Sequence, residues 1–381
     1  MSTAAGLPDD RHVDVGKLAS LFAKTTNSYK FLFFLGLLEV TRGWATTSSP
    51  CFTTRQVLEA ALAIAWFPHS YFRLSFGPQD QIGRVLDELA PHLPRLPGTL
   101  TPDDVKSMRA ALGRALNQDQ ALELLRYVPS RLLSPWFEPE LRGMPDHRKD
   151  DALARLSNER FRSNAPLYRL EDDRRAIQLH PDWWGYLWRN RRVIEDWTRW
   201  NWLLYMQARN PSTLNVGGKL LPPLERAPLS RQRDFWAKYI AHRPLQCIYT
   251  GQVLAPKAAL DHFLPWSFVL HDRWWNLVPV GTSTNSAKRD SLPDLDHYLG
   301  ALVDVHASAL VVSRDWLGQD QWRRIALEYS EDLGAPLAGL EGRQDDVRDV
   351  LHSGYRKVLP TLMGLARIQG FPDSWRAREV G

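Results

Sequence analysis

Cysteine is nearly absent from this chain: Cys51 and Cys247 are the only two in 381 residues. Two thiols cannot build a disulfide framework, so a reducing, cytoplasmic setting is expected. Long apolar runs are missing as well. The longest, residues 31–38, falls far short of the roughly 20 residues that cross a bilayer, and reads as a buried helix segment; no membrane partner is expected. The first dozen residues lack the cationic start and apolar stretch of a secretory signal. Neither sign of charge dominates, since 48 Lys and Arg stand against 43 Asp and Glu for a net +5. Such an excess is compatible with a polyanionic partner without requiring one. No internal repeat is evident, which excludes a solenoid or propeller.

What is present is an ordinary globular composition, 44% hydrophobic and 24% charged, with an unusual 16 tryptophans. Most of these fall at helical spacing and are assigned to core packing rather than to base stacking. Helical signals run through most of the chain. Helices are expected over residues 13–44, with a cap at Thr26, Asn27 or Ser28, over 54–66 behind Thr53 or Thr54, and over 80–90. Proline-rich residues 91–98 read as a linker, and Thr101-Pro102-Asp103-Asp104 as a helix start. A charged helix follows over 148–164, a small hairpin pairs 167–170 with 176–179, and a Trp-dense helix spans 183–207. Gly217-Gly218 and Pro222-Pro223 read as a linker, and later helices are expected over 229–240, 296–307, 319–332 and 344–367. Three regions result: a helical recognition or scaffold region over 1–225, a compact module over 226–300, and a helical region over 301–381 that packs on it. Arginine-rich residues 142–199 offer guanidinium groups suited to phosphate, although Asp150, Asp151, Asp172 and Asp173 oppose that unless they pair internally.

The densest chemistry lies in residues 247–293. Asp261-His262 ends a short apolar strand, a turn-rich loop follows, and Asn276 starts the strand Leu277-Val278-Pro279-Val280. Asn285 and Lys288 come next, and Pro293 closes the segment. The parts suit phosphodiester hydrolysis, in which an anionic phosphate, a weakly nucleophilic water and a charged leaving oxygen must all be managed. Asp261 and Asn285 are hard oxygen donors for a divalent cation. His262, alternating with Asp261 on the strand, can take a proton from an attacking water near neutral pH. Lys288, one helical turn beyond Asn285, shares its face and is expected to aim at phosphate. His271 and His297 are read as loop and helix-end residues without a chemical role.

In this order, DH…N…N..K…P, the segment resembles HNH endonucleases. The resemblance implies a mainly helical chain with a small embedded α+β module, a ββα-metal nuclease fold flanked by helical regions. It implies His262 as general base, Asp261 and Asn285 as ligands of Mg²⁺ or Mn²⁺, Asn276 as a brace for the loop carrying the histidine, and Lys288 at the phosphate. Many such modules also bind a structural zinc through two CxxC pairs. Here Cys247 stands with Thr250, Gly281 and Thr284 at the other places, so no structural zinc is expected and packing by Trp266, Trp274 and Trp275 takes over its task. The substrate implied is nucleic acid, DNA first, in bacterial restriction or anti-phage defence, with partner proteins of such a system. An RNA-cutting or toxin-like nuclease, or a nucleic-acid-binding scaffold that has lost catalysis, are the other readings. The starts TTNSYK (residues 25–30) and WFPHSYF (66–72) are similar to the front of larger HNH proteins and carry no assigned role.

Overall fold

A computed structural model of the chain describes residues 6–44, 50–94, 102–220, 228–337 and 343–378. It is mainly helical with two small antiparallel sheets, one of three strands in the order β1-β3-β2 and one pairing β4 with β5. The strands are β1 Cys51–Thr53, β2 Tyr168–Glu171, β3 Ala176–Leu179, β4 Ala259–His262 and β5 Leu277–Val280. The chain divides into two compact units. One holds Met1–Pro211 and Val216–Glu225, the other Ser212–Asn215 and Arg226–Gly381. The expected boundary at 225/226, the linker over 95–98, Thr101 and Pro222-Pro223 lie outside the described residues.

The N-terminal unit is built around two packed helices, Tyr29–Val40 and Thr54–Trp66. The first is apolar nearly all round, hence buried: Phe31 through Leu38 are inaccessible. Gly36 permits the close crossing, because a Cβ there would sit 2.5 Å from the carbonyl oxygen of Val57. The second helix opens with a capping box. Thr53 Oγ1 accepts from the Gln56 amide at 3.1 Å, and Gln56 Oε1 accepts from the Thr53 amide at 2.9 Å. Its stripe of Leu58, Leu62 and Ala65 is buried as the spacing indicates.

Four departures from the sequence reading have local causes. The first helix is only Val15–Ala19, and Ser28 does not cap the next one with its side chain; its hydroxyl and amide go to Asp80 instead. The hairpin of β2 and β3 gains a third strand, β1, from over a hundred residues upstream, a pairing invisible to local pattern. The Trp-dense helix is two helices, Pro181–Arg189 and Arg191–Arg209, broken at Asn190. Gly217 and Gly218 lie inside a short helix, Val216–Leu220, rather than in a linker. Trp136, Trp183, Trp184 and Trp202 are fully buried, as core packing requires, while Trp188 and Trp200 are half exposed.

Several arginines of residues 142–199, and several of the acids there, are matched inside this unit. Asp150 and Asp146 both pair with Arg131, Asp151 with Arg174, and Glu171 with Arg169. Arg189 binds Asp10 at 2.6 Å, and Arg191 turns inward to the Leu38 carbonyl, Thr41 and Glu195. These groups are therefore already spent on folding contacts.

In the C-terminal unit a single apolar cluster runs from Phe235 through Leu260, Trp275 and Val278 to Leu302, Tyr329 and Met363. The helices Leu295–Val312, Gln319–Leu333 and Gln344–Ile368 supply its far side. Trp275 is buried, with its indole N–H donating to Asp332 at 2.7 Å, and Trp274 packs edge-on against Phe235. Residues near the chain end also join in. Leu292 donates to the Pro372 carbonyl at 2.7 Å, and Asp294 donates to that of Trp375 at 3.0 Å, so the segment 292–294 gains a strand-like partner.

Candidate active site

The site begins with a tight turn. Cys247 and Gly251 are joined by a 2.9 Å backbone hydrogen bond, Cys247 donates to Gln252, and Leu254 donates to Leu245 at 2.8 Å. Gly251 has φ +69°, which suits a residue without a Cβ. Cys247 is buried in the apolar cluster, so backbone hydrogen bonds and packing hold this knuckle. Two residues on, Tyr249 packs edge-on against Tyr298 and Trp375 at about 5 Å.

β4 and β5 then pair antiparallel, with Asp261 opposite Val278 and His262 opposite Leu277. Both strands are short and flanked by core, which leaves Asp261 buried and His262 only partly accessible. Asn276, wholly buried, closes the loop between them. Its Oδ1 accepts from the Leu264 amide at 2.7 Å and its Nδ2 donates to the Leu264 carbonyl at 2.9 Å. One amide side chain thus replaces a strand partner for the residue two beyond His262, while Phe263 donates to the Asn276 carbonyl at 2.8 Å. Thr282–Lys288 follows β5 as a helix and packs against β4; Arg289, at φ +52°, ends it.

His262 Nε2 lies 2.7 Å from Asp272 Oδ1. An ionised carboxylate only accepts, so Nε2 carries a proton, and in the neutral ring Nδ1 is the nitrogen with the lone pair. Asp272 was missed in the sequence, because one acid in a turn-rich loop carries no periodic signal. Tyr249 was missed for the same reason; its hydroxyl donates to Asp261 Oδ2 at 2.9 Å, and burial beside that carboxylate holds the phenol well above its usual pKa.

Lys288 departs from expectation. Instead of aiming at a phosphate, its ammonium is fully buried, 3.0 Å from Asp261 Oδ2 and 2.7 Å from the His262 carbonyl. The physical reason is the buried Asp261 carboxylate, which draws a counter-charge out of water. Asn285 is half-buried and donates, at a long 3.5 Å, to the Leu260 carbonyl, and its amide oxygen has no donor among the described residues. His271 stays apart: burial lowers its pKa to about 4, and it packs against Trp275. His297 sits in the first turn of Leu295–Val312, as expected.

Residues 247–294 match the model of a family described as HNH endonuclease. This segment is similar to HNH endonucleases. No curated protein and no solved structure matches the chain. The matched residues take in the knuckle, β4, the Asn276 clamp, β5 and the helix after it, so Tyr249, Asp261, His262, Asp272, Asn276, Asn285 and Lys288 all lie within the matched segment.

The donor set can be judged for a divalent cation. Among the described residues no three His, Cys, Asp or Glu side chains converge on a metal-sized space. β4 offers one carboxylate, Asp261, and the helix after β5 one amide oxygen, on Asn285. Such a pair fits a hard cation that keeps several waters and completes its shell with substrate phosphate. It does not make a closed structural zinc site, which takes four thiolate or imidazole ligands.

Proposed function

We propose that the HNH domain hydrolyses phosphodiester bonds of DNA with the help of Mg²⁺ or Mn²⁺. The observation that carries this reading is the His262–Asp272 hydrogen bond inside the matched segment. It sets the tautomer, orients the ring and stabilises the imidazolium that forms when Nδ1 accepts a proton from water. Asn276 holds the backbone beyond His262 so that the imidazole does not drift from its place. Asp261 and Asn285 would hold the cation, and Tyr249 fixes the Asp261 carboxylate by hydrogen bonding. When bound, the cation supplies charge neutralisation at the phosphate and the leaving oxygen. Lys288 compensates Asp261 in the metal-free arrangement and, once released by a competing cation, reaches the phosphate from the same helix face as Asn285. β4, β5 and the helix Thr282–Lys288 together form the ββα core on this reading.

The resemblance extends the proposal to a bacterial cytoplasmic enzyme of restriction or anti-phage defence. A second reading, a nucleic-acid-binding scaffold without turnover, is favoured by one observation, the Lys288 ammonium already seated on Asp261. Incubating the full chain with plasmid, single-stranded DNA and RNA, in Mg²⁺, Mn²⁺ or EDTA, separates the possibilities. Cleavage of DNA that stops in EDTA and in His262→Ala supports the nuclease. Binding without cleavage under every condition supports the scaffold, and preferential cutting of RNA replaces DNA as the substrate.

A further inference from the structure

The N-terminal unit contains a cavity of about 680 Å³ that the nuclease chemistry does not use. Its wall includes Thr26, Asn27, Tyr29 and Lys30, the TTNSYK stretch for which the sequence offered no role. The opposite wall comes from residues 123–149. A pocket of this size accommodates a mononucleotide or a ligand of similar bulk.

The charges in the cavity sort themselves into spent and available. Arg131 is engaged by Asp146 and Asp150, with its Nε and both terminal nitrogens donating to them. Lys149 shares Asp146, and Lys24 faces Glu138 at 3.5 Å. Glu123 is held by Arg84 at 2.7 Å. Two cations remain. Lys30 is half-buried at the start of its helix and has no carboxylate within 4 Å among the described residues. Its ammonium meets only the carbonyls of Leu21, at 3.5 Å, and Lys24, at 3.2 Å, which leaves one of three donors for the cavity. Arg142 is exposed on the rim and is likewise without a carboxylate partner among the described residues. Burial, with Arg131 and Lys24 nearby, lowers the pKa of Lys30 to about 8. A desolvated ammonium beside two other cations is a poor structural choice unless an anion joins it.

The remaining lining fits the other parts of a nucleotide. Tyr127 presents a half-exposed aromatic ring, with the Arg126 guanidinium 5.0 Å from its centroid, a surface on which a flat heterocycle stacks. Glu123 and Glu138 are carboxylates at the wall, suited to accept from ribose hydroxyls. Cation, ring and carboxylate in one cavity match phosphate, base and sugar.

We propose that this cavity is a nucleotide-binding site, in which Lys30 and Arg142 hold the phosphates and Tyr127 stacks on the base. The site is separate from the HNH residues, and its occupancy is a candidate signal to which the protein responds.

The test is isothermal titration of the full chain in EDTA, where turnover by the HNH domain plays no part. The probes are ATP, GTP, CTP and UTP, with inorganic tripolyphosphate and a single-stranded oligothymidylate as comparisons. At least one nucleotide should bind, and Lys30→Met, which keeps the aliphatic stem, should weaken it by about tenfold or more. Tyr127→Ala should weaken the nucleotide but not tripolyphosphate. Arg142→Glu, on the rim and safe for folding, should weaken both, so the proposal stays testable if Lys30→Met folds poorly. Absence of binding by all four nucleotides overturns the proposal, as does unchanged affinity in Arg142→Glu. Displacement of the nucleotide by the oligothymidylate overturns it in favour of a strand-binding surface.

Discussion

The ammonium of Lys288 lies 3.0 Å from Oδ2 of Asp261, and both side chains are shielded from water. The pair joins the C-terminal end of the helix Thr282–Lys288 to the last-but-one residue of β4. It therefore holds together the two elements that carry Asp261 and Asn285. Removing the cation leaves a buried, unpaired carboxylate. Lys288→Met is expected to destabilise the C-terminal unit by about 3 kcal/mol or more in urea denaturation. Millimolar Mg²⁺ should then raise the melting temperature of the variant more than that of the wild type, because a divalent cation takes up the vacated charge. Equal shifts in the two proteins would show that Asp261 is not a metal ligand.

The hydrogen bond between His262 and Asp272 predicts a different signature. His262→Ala should abolish cleavage while nucleic acid affinity stays within a few-fold. Asp272→Asn keeps the shape but allows the amide to donate to Nε2, which favours the tautomer with its proton on the catalytic nitrogen. A loss in kcat between about tenfold and 10⁴-fold, with KM little changed, is the expected result. A change confined to KM would place Asp272 in substrate binding.

How much of this was legible follows from what each residue does locally. Asp261, His262, Asn276 and Asn285 stand out in the sequence because residue type and order carry the pattern, and the cap at Thr53 is a local rule satisfied locally. The hairpin of β2 and β3 was legible from alternation, whereas β1 was not, because its partner Ala176–Leu179 is over a hundred residues away. Asp272 and Tyr249 act on the site across a loop and a knuckle, so no spacing announces them. Lys288 was legible as a residue of the helix, but its direction was not. Helical spacing places it on the Asn285 face, and only the depth of Asp261 in the core shows that the ammonium turns inward. The arginines of 142–199 give the same lesson in reverse, since a basic stretch by composition becomes a set of internal pairs once Asp10, Asp151 and Glu195 are in place.

Close packing in the N-terminal unit supplies a prediction about stability alone. A methyl group at Gly36 would meet the Val57 carbonyl at 2.5 Å and the Ala61 amide at 3.1 Å, both backbone atoms that cannot swing aside. Gly36→Ala should gain the helix preference of alanine, worth about 1 kcal/mol, yet lose more than that by forcing the helices Tyr29–Val40 and Thr54–Trp66 apart. A net loss of about 1–2 kcal/mol is expected in chemical denaturation. A stabilised variant would mean that the two helices separate at little cost.

The core beneath the HNH domain should make the protein sensitive to acid through His306. This imidazole is wholly buried, shares a 2.8 Å hydrogen bond with the Tyr329 hydroxyl through Nδ1, and has no partner for Nε2 among the described residues. Burial lowers its pKa to about 3 from a usual 6.5, and that of His271 to about 4. Both are neutral in the folded chain at pH 5, where the unfolded chain would bind a proton on each. The unfolded state therefore holds more protons, and stability rises with pH across this window. The contribution is complete above about pH 6.5 and is lost as pH falls toward 4 for His271 and toward 3 for His306. Each group adds a slope of up to about 1.4 kcal/mol per pH unit. Urea midpoints measured between pH 7 and 4.5 should fall accordingly. In His306→Leu the slope should flatten, although Tyr329 loses its partner and the variant starts from lower stability. An unchanged slope in that variant would show that His306 is protonated without unfolding, and that the C-terminal core opens to water more readily than its packing indicates.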